Sequence, residues 1–317
     1  MDVITIGESM AVLTPIDSGF MRQAVTFTRR IGGAESNVAV GLSRLGHSTG
    51  WIGKVGKDEF GRAILSFLRG EGVDVSRAMI DGEAPTGIYF KEKRRMNDTR
   101  VYYYRRGSAA SRMTPSDLDE DYIAQAKYLH ITGITPALGK SCCETIFSAI
   151  AIARRHRVKI VFDPNLRLKL WRDANQAREV LLQIATHADI ILPGVSEAEF
   201  LLGERSVEEW GQQLLEAGAS LVVIKLGARG AHFFTDSENK YVQGFPVEQV
   251  VDPVGAGDGF AAGLLSGLLD GLSPIDAVRR GNAVGSLVTM VEGDVDGMPE
   301  YEEIERLIYQ QGEDVTR

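Results

Sequence analysis

The chain has 317 residues, of which 44% are hydrophobic and 25% charged, an ordinary globular composition with enough length for one large α/β domain and an appendage. A formal net charge of −8 argues against a general electrostatic grip on nucleic acid or an anionic membrane, so a small-molecule partner is expected. The two cysteines, Cys142 and Cys143, are adjacent and suit a reduced compartment, no stretch reaches the roughly 20 apolar residues of a membrane span, and residues 2–7 read as a strand instead of a signal sequence. The cytoplasm is the expected location.

In chain order, short apolar runs at 3–6, 48–55, 127–132, 159–162, 190–192 and 221–225 alternate with helical segments. This rhythm predicts βαβ units, hence a doubly wound, mainly parallel central sheet with helices on both faces. Helix starts are marked by Thr114-Pro115-Ser116-Asp117 and Ser273-Pro274-Ile275-Asp276, each a hydroxyl cap followed by proline. Two β-rich stretches break the rhythm: residues 25–30, and 86–93 with 100–106 joined by a polar turn around Met96, Asn97 and Asp98. They read as a small antiparallel lid, giving a body of residues 1–13, 31–84 and 109–317 and a lid of 14–30 and 85–108. Alternation in Tyr103-Tyr104-Arg105-Arg106 puts Tyr103 and Arg105 on one face, which could meet substrate; taken alone, a half-exposed strand with core-covering aromatics and solvated arginines is the favoured reading.

The segment Asp252-Pro253-Val254-Gly255-Ala256-Gly257-Asp258 follows Val250 and Val251, read as a strand end, and opens an apolar helix expected from Asp258 to about Leu269. Glycines at such a turn bare backbone N–H groups at a helix start, where the dipole favours an anion. Asp258 beside that site is placed to take a proton from an attacking hydroxyl, although a capping Asp on an ordinary connection has the same appearance. Competing motifs fail. Gly133 to Ser141 resembles a Walker A loop but has five residues between its glycines instead of four, and Pro136 removes an amide. Phe260 occupies the place of the third glycine in a dinucleotide fingerprint. The five histidines lack zinc spacing, and no serine-hydrolase elbow occurs. Any metal is therefore expected to be magnesium carried with nucleotide phosphates, with Glu197 and Asp252 as water-mediated contacts, although taken alone Glu197 reads more simply as a first-turn residue of the helix after Pro193.

Taken in order, several segments resemble the ribokinase-like (PfkB) carbohydrate kinase family along essentially the whole chain. Gly32-Gly33-Ala34-Glu35-Ser36-Asn37-Val38-Ala39 is similar to the family's N-terminal signature, and residues 252–258 to its C-terminal signature. The resemblance implies that Gly33 and Asn37 contact sugar hydroxyls, that the Gly255, Ala256 and Gly257 amides form the anion hole, and that Asp258 is the catalytic base. It further implies an ATP site built from Lys225, Gly227, Ala228 and Gly230, with Asn282 lining the adenine pocket and Asn165 and Arg167 on the phosphate side. Within the family, Asp163-Pro164-Asn165-Leu166-Arg167, residues 103–110 and Pro253 look most like 2-keto-3-deoxygluconate kinases. Arg105 and Arg167 would then bind the sugar acid's carboxylate, with Tyr89 and Tyr103 contacting hydroxyls from the lid. The activity so implied is ATP- and Mg2+-dependent phosphorylation of the primary hydroxyl. The resemblance leaves open a neutral-sugar kinase such as a fructokinase, a non-catalytic sugar-binding regulator, and a potassium ion near the anion hole. A homo-oligomer is expected from the lid's apolar face. Two positions depart from the family pattern: Gly194 where an Asn is usual, and Pro253 where a Thr is usual.

Overall fold

A computed structural model describes residues 1–95 and 98–309; the expected turn at Met96 and Asn97 lies outside the described residues. The core is an eight-stranded sheet in the order Asn239–Gln243, Gly230–Phe234, Leu221–Lys225, Ile190–Ile191, Lys159–Asp163, Tyr128–Thr132, Val3–Ile6 and Thr49–Ile52. Six strands run parallel, and Gly230–Phe234 and Asn239–Gln243 add an antiparallel edge that the apolar runs did not reveal.

Alternation along the strands distributes the core to both faces. Ile4, Ile6, Leu129, Ile131, Ile160 and Phe162 pack against helices Lys140–Arg155, Ala174–Ala185, Val195–Leu202 and Val207–Glu216. Val3, Tyr128, Val161 and Val223 point the other way, onto helices Ala34–Arg44, Ala256–Leu269 and Pro274–Val288. All of these strand residues are buried, so each face removes a continuous apolar layer from water, the main driving force for the fold. Ser273 caps Pro274–Val288 as its sequence predicts, whereas Thr114 caps only the single turn Pro115–Asp117.

The lid is a separate four-stranded sheet in the order Phe27–Gly32, Met10–Pro15, Ile88–Arg95 and Asp98–Tyr104. Its limits differ from those expected: Met10–Pro15 joins the lid although residues 10–13 were assigned to the body, and Phe27–Gly32 runs two residues past 30. The cause is pairing, because Met10 faces Gly32 and Pro15 faces Phe27 along an antiparallel ladder, while Met10–Pro15 also pairs with Ile88–Arg95. The expected strand at 48–55 divides into Thr49–Ile52 in the main sheet and Lys54–Gly56, which pairs with Met79–Asp81.

Candidate active site

Helix Ala256–Leu269 begins two residues before the expected position, and no strand precedes it. Val251 and Asp252 instead donate their amides to the Thr289 carbonyl at 2.8 and 3.1 Å, so the loop is tied to the end of Pro274–Val288. The chain turns at Gly255 with φ +87°, and a Cβ there would lie 2.3 Å from the Asp294 carbonyl oxygen, so both conformation and space require glycine. The first amides of the helix have no carbonyl a turn earlier to bond, although Ala256 makes a long 3.4 Å contact to the Pro253 carbonyl, and Gly255, Ala256 and Gly257 line the adjoining cavities. This is a concave cluster of donors at the positive end of a 14-residue helix.

Asp258 occupies the third position of that helix and is only 8% exposed. Asn37 Nδ2, from helix Ala34–Arg44, donates to Asp258 Oδ2 at 2.8 Å, and Asn165 Nδ2 approaches Oδ1 at 3.5 Å. Asn165 is held in the left-handed region, φ +34°, with its amide on Asp163 Oδ1 at 3.2 Å. Burial is the main reason that the Asp258 carboxyl is pushed up to about 8; the Asn37 hydrogen bond opposes this, and Asp163 and Asp294 add to it. A carboxyl poised near neutrality can both take up and release a proton at working pH.

Two cavities meet at the helix start. One, of about 400 Å³, lies between lid and sheet and is lined by Asp258, Gly255 and Gly257 together with Gly33, Asn37, Tyr89, Tyr103, Arg105, Arg167, Asn165 and Glu197. The other, of about 510 Å³, has apolar walls from Phe245, Val247 and Val250 and is lined by Gly227, Ala228, Gly230, Ala256 and Asn282. Lys225, Pro253 and Gly257 line both. Asn165, expected beside the nucleotide, lines the first cavity. Gly33 sits so close to the backbone that a Cβ would meet the Glu8 carbonyl at 2.4 Å.

The charges of the first cavity are largely paired. Lys225 Nζ lies 2.6 Å from Asp163 Oδ2; burial would lower the lysine's pKa, but Asp163 and Glu197 outweigh it and keep the ammonium charged. Arg105, expected to be open to substrate, is 7% exposed and directs Nε at 2.7 Å, and also Nη2, to Glu8 Oε2. Ser108 donates to the other Glu8 oxygen at 2.6 Å, which fixes the pair further. The period-two pattern placed Arg105 on the correct face without showing this buried carboxylate. Among the described residues Arg167, which is exposed, forms no ion pair, so it is the lining cation left to meet an anionic ligand. Tyr89 directs its hydroxyl to Asp294. Asn282 donates to the Val242 and Gln243 carbonyls at 3.1 and 3.2 Å, anchoring the sheet edge that walls the second cavity.

The metal contacts expected at Glu197 and Asp252 fit less well. Asp252 is 2% exposed, pairs with Lys91 and accepts the Val254 amide at 3.2 Å, so its charge is compensated, and it lines neither of the two cavities. Glu197 caps its own helix, accepting the Gly194 amide at 2.7 Å and the Leu166 amide at 2.8 Å. Among the described residues no group of three or more His, Cys, Asp or Glu side chains converges on a metal position. Magnesium here would therefore be held by nucleotide phosphates and water more than by protein carboxylates.

Sequence reasoning missed Glu8, Glu35, Lys91, Asp163 and Asp294 as cavity residues. Glu35 is 1% exposed, accepts from Thr132 and Thr135 hydroxyls at 2.6 and 3.0 Å, and is shifted upward chiefly by burial. Lys91 carried a signal, since alternation sets it on the same lid face as Tyr89, and Glu35 and Asp163 lie inside the motifs at 32–39 and 163–167.

A helix start rich in glycine beside a buried carboxyl, between a lid-covered pocket and an apolar-walled one, is the arrangement of a group-transfer enzyme for phosphorylated ligands. The sequence matches pfkB family carbohydrate kinase over residues 1–300, and the chain belongs to that family. It is 45% identical to 2-dehydro-3-deoxygluconokinase of Bacillus subtilis over 96% of this chain and 94% of that protein. Its fold is similar to the crystal structure of 2-dehydro-3-deoxygluconokinase from Thermotoga maritima, with TM-score 0.89 and 28% identity over 97% and 99% of the two chains. A fructokinase double mutant from Vibrio cholerae, solved with fructose, ADP and potassium ion, superposes with TM-score 0.86 and 27% identity over 97% and 98%. Among the described residues no helix is long and apolar enough to cross a membrane.

Proposed function

We propose that the protein phosphorylates the primary hydroxyl of 2-keto-3-deoxygluconate (2-dehydro-3-deoxygluconate) with Mg·ATP, in the cytoplasm. The single observation that carries this reading is the position of Asp258 where the lid cavity and the apolar-walled cavity share the bare start of Ala256–Leu269. The sugar acid occupies the first cavity and the adenosine the second, so the triphosphate tail lies over Lys225 and Gly257. The acceptor oxygen forms its bond to the γ-phosphorus as the bond from that phosphorus to the β,γ-bridging oxygen breaks, ADP leaves, and the hydroxyl proton passes to Asp258. Gly255, Ala256 and Gly257 amides stabilise the negative charge on the equatorial oxygens, where each well-placed donor is worth about 10² to 10³ in rate. Magnesium, when bound with the nucleotide, would neutralise charge on the β- and γ-phosphate oxygens.

Arg167 is the residue that meets the sugar's carboxylate, with Tyr103 and Gly33 lining the rest of its path. The engagement of Arg105 by Glu8 removes one of two guanidiniums from that argument, which gives the neutral-sugar reading a specific foothold. Side-by-side kinetics on 2-keto-3-deoxygluconate and fructose decide between them. A kcat/KM for the sugar acid at least about tenfold higher, corresponding to 1.4 kcal/mol, supports the proposal; a preference for fructose that survives Arg167→Ala overturns it.

A further inference from the structure

Lys91 stands on lid strand Ile88–Arg95, yet its side chain is only 2% exposed. Its ammonium pairs with Asp252 and lies 3.2 Å from Asp294 Oδ1. Both carboxylates belong to the support of the anion hole. Asp252 accepts the Val254 amide at 3.2 Å and the Gly293 amide at 3.4 Å, joining the two segments that flank the hole. Asp294 takes the Tyr89 hydroxyl, and its main-chain oxygen is the atom that leaves no room for a Cβ at Gly255. A single ammonium thus ties the lid strand to the residues that fix the turn at Gly255. Burial lowers the Lys91 pKa, but Asp294 and Asp252 more than compensate and raise it, so the ammonium stays charged between two carboxylates. Buried ion pairs of this kind add little net stability relative to apolar packing, which leaves geometry as their use.

We infer that Lys91 is a positioning residue whose lid-borne ammonium holds the anion-hole loop in register, filling with a fixed charge the place beside Asp252 that a free monovalent cation would otherwise take. The Lys91 ammonium already compensates Asp252 and Asp294, so a potassium ion placed between them would meet a like charge at close range. Transfer competence is then coupled to the lid strand itself. The inference rests on the phosphoryl-transfer reading of the site, and the test separates the two.

Steady-state turnover is measured for the wild type and Lys91→Ala in buffers containing only sodium, potassium, ammonium or ethylammonium ions, with thermal melting as a folding control. The wild type is expected to turn over equally, within about twofold, in sodium and potassium, since its cation is built in. Lys91→Ala in sodium is expected to lose about 10²-fold in kcat, the scale of one misplaced oxyanion donor, with KM for ATP within about threefold. Ammonium or ethylammonium should restore at least about tenfold of that loss by entering the vacated space. Wild-type activation by potassium over sodium beyond about fivefold overturns the inference, and this arm needs no variant to fold. A folded Lys91→Ala with unchanged kcat, or with a loss that no amine relieves, also overturns it. A wild type that transfers no phosphoryl group to any sugar or sugar acid overturns the underlying reading instead.

Discussion

Replacing Asp258 by Asn removes the proton acceptor while keeping its size and the means to accept from Asn37, so the change isolates one chemical property. General-base catalysis typically contributes about 10² to 10⁴ in rate when the base is fully ionised. With its carboxyl pushed up to about 8, Asp258 is about one-tenth ionised at pH 7 and about nine-tenths ionised at pH 9. The ratio of wild-type to variant kcat/KM should therefore be about 10 to 10³ at pH 7 and rise about tenfold further by pH 9. Nucleotide affinity should stay close to wild type, because Asp258 does not line the apolar-walled cavity. The assay is coupled ADP release across the pH range, with nucleotide binding measured by calorimetry. Stability depends on the same titration. The fold raises this carboxyl's pKa, so folding favours the neutral form; stability from that preference is complete below the unfolded value near 4 and is lost as pH rises towards 8. The Asn variant should accordingly melt at a higher temperature than wild type near pH 8, with the difference vanishing below pH 4. A folded variant with more than half of wild-type kcat/KM at pH 9, or a ratio flat with pH, refutes the base assignment.

Further outcomes follow from the same geometry. In the wild type, kcat/KM should rise with pH along a limb centred near 8, read from initial rates at subsaturating sugar acid; a profile flat from pH 6 to 9 would remove the Asp258 argument. Gly255→Ala should cost about 1–2 kcal/mol from its left-handed backbone alone, and more from the clash with Asp294, with loss of most turnover in a chain that still shows a cooperative melt. Arg167→Ala should raise KM for the sugar acid about tenfold or more while leaving a neutral sugar's KM nearly unchanged, whereas Arg105→Ala should lower the melting temperature by leaving Glu8 buried without its partner. Light scattering should give the mass of a dimer or larger assembly, because the lid leaves Ile16, Val25, Phe27 and Tyr104 exposed; a monomer at micromolar concentration would count against lid pairing.

The central sheet was legible because its strands are short, apolar and separated by capped helices, and the strand expected at 221–225 appears with the same limits. The turn into Ala256–Leu269 was legible for a related reason: glycine and aspartate at a helix start are chemically conspicuous wherever they fall. Met10–Pro15 escaped assignment to the lid because it is apolar and almost wholly buried, so nothing local distinguishes it from a body strand; only its pairing with Phe27–Gly32 does. The antiparallel edge at Asn239–Gln243 is polar and mostly exposed, which weakens the periodic signal that revealed its neighbours. The counter-charges were least legible. Lys91 meets Asp294 across 203 residues and Arg105 meets Glu8 across 97, so their pairing exists only after the lid has folded onto the sheet. Arg105 was placed on the correct face yet expected to be open, because a sequence pattern reports orientation and says nothing about who stands opposite.

The most direct measurement is a crystal structure of the protein with 2-keto-3-deoxygluconate and a non-hydrolysable ATP analogue. The account predicts the γ-phosphoryl mimic on the Gly255 and Gly257 amides, and the sugar's primary hydroxyl about 2.6–3.2 Å from an Asp258 carboxylate oxygen. A triphosphate bound away from the start of Ala256–Leu269, or an acceptor hydroxyl turned towards a different base, would contradict it.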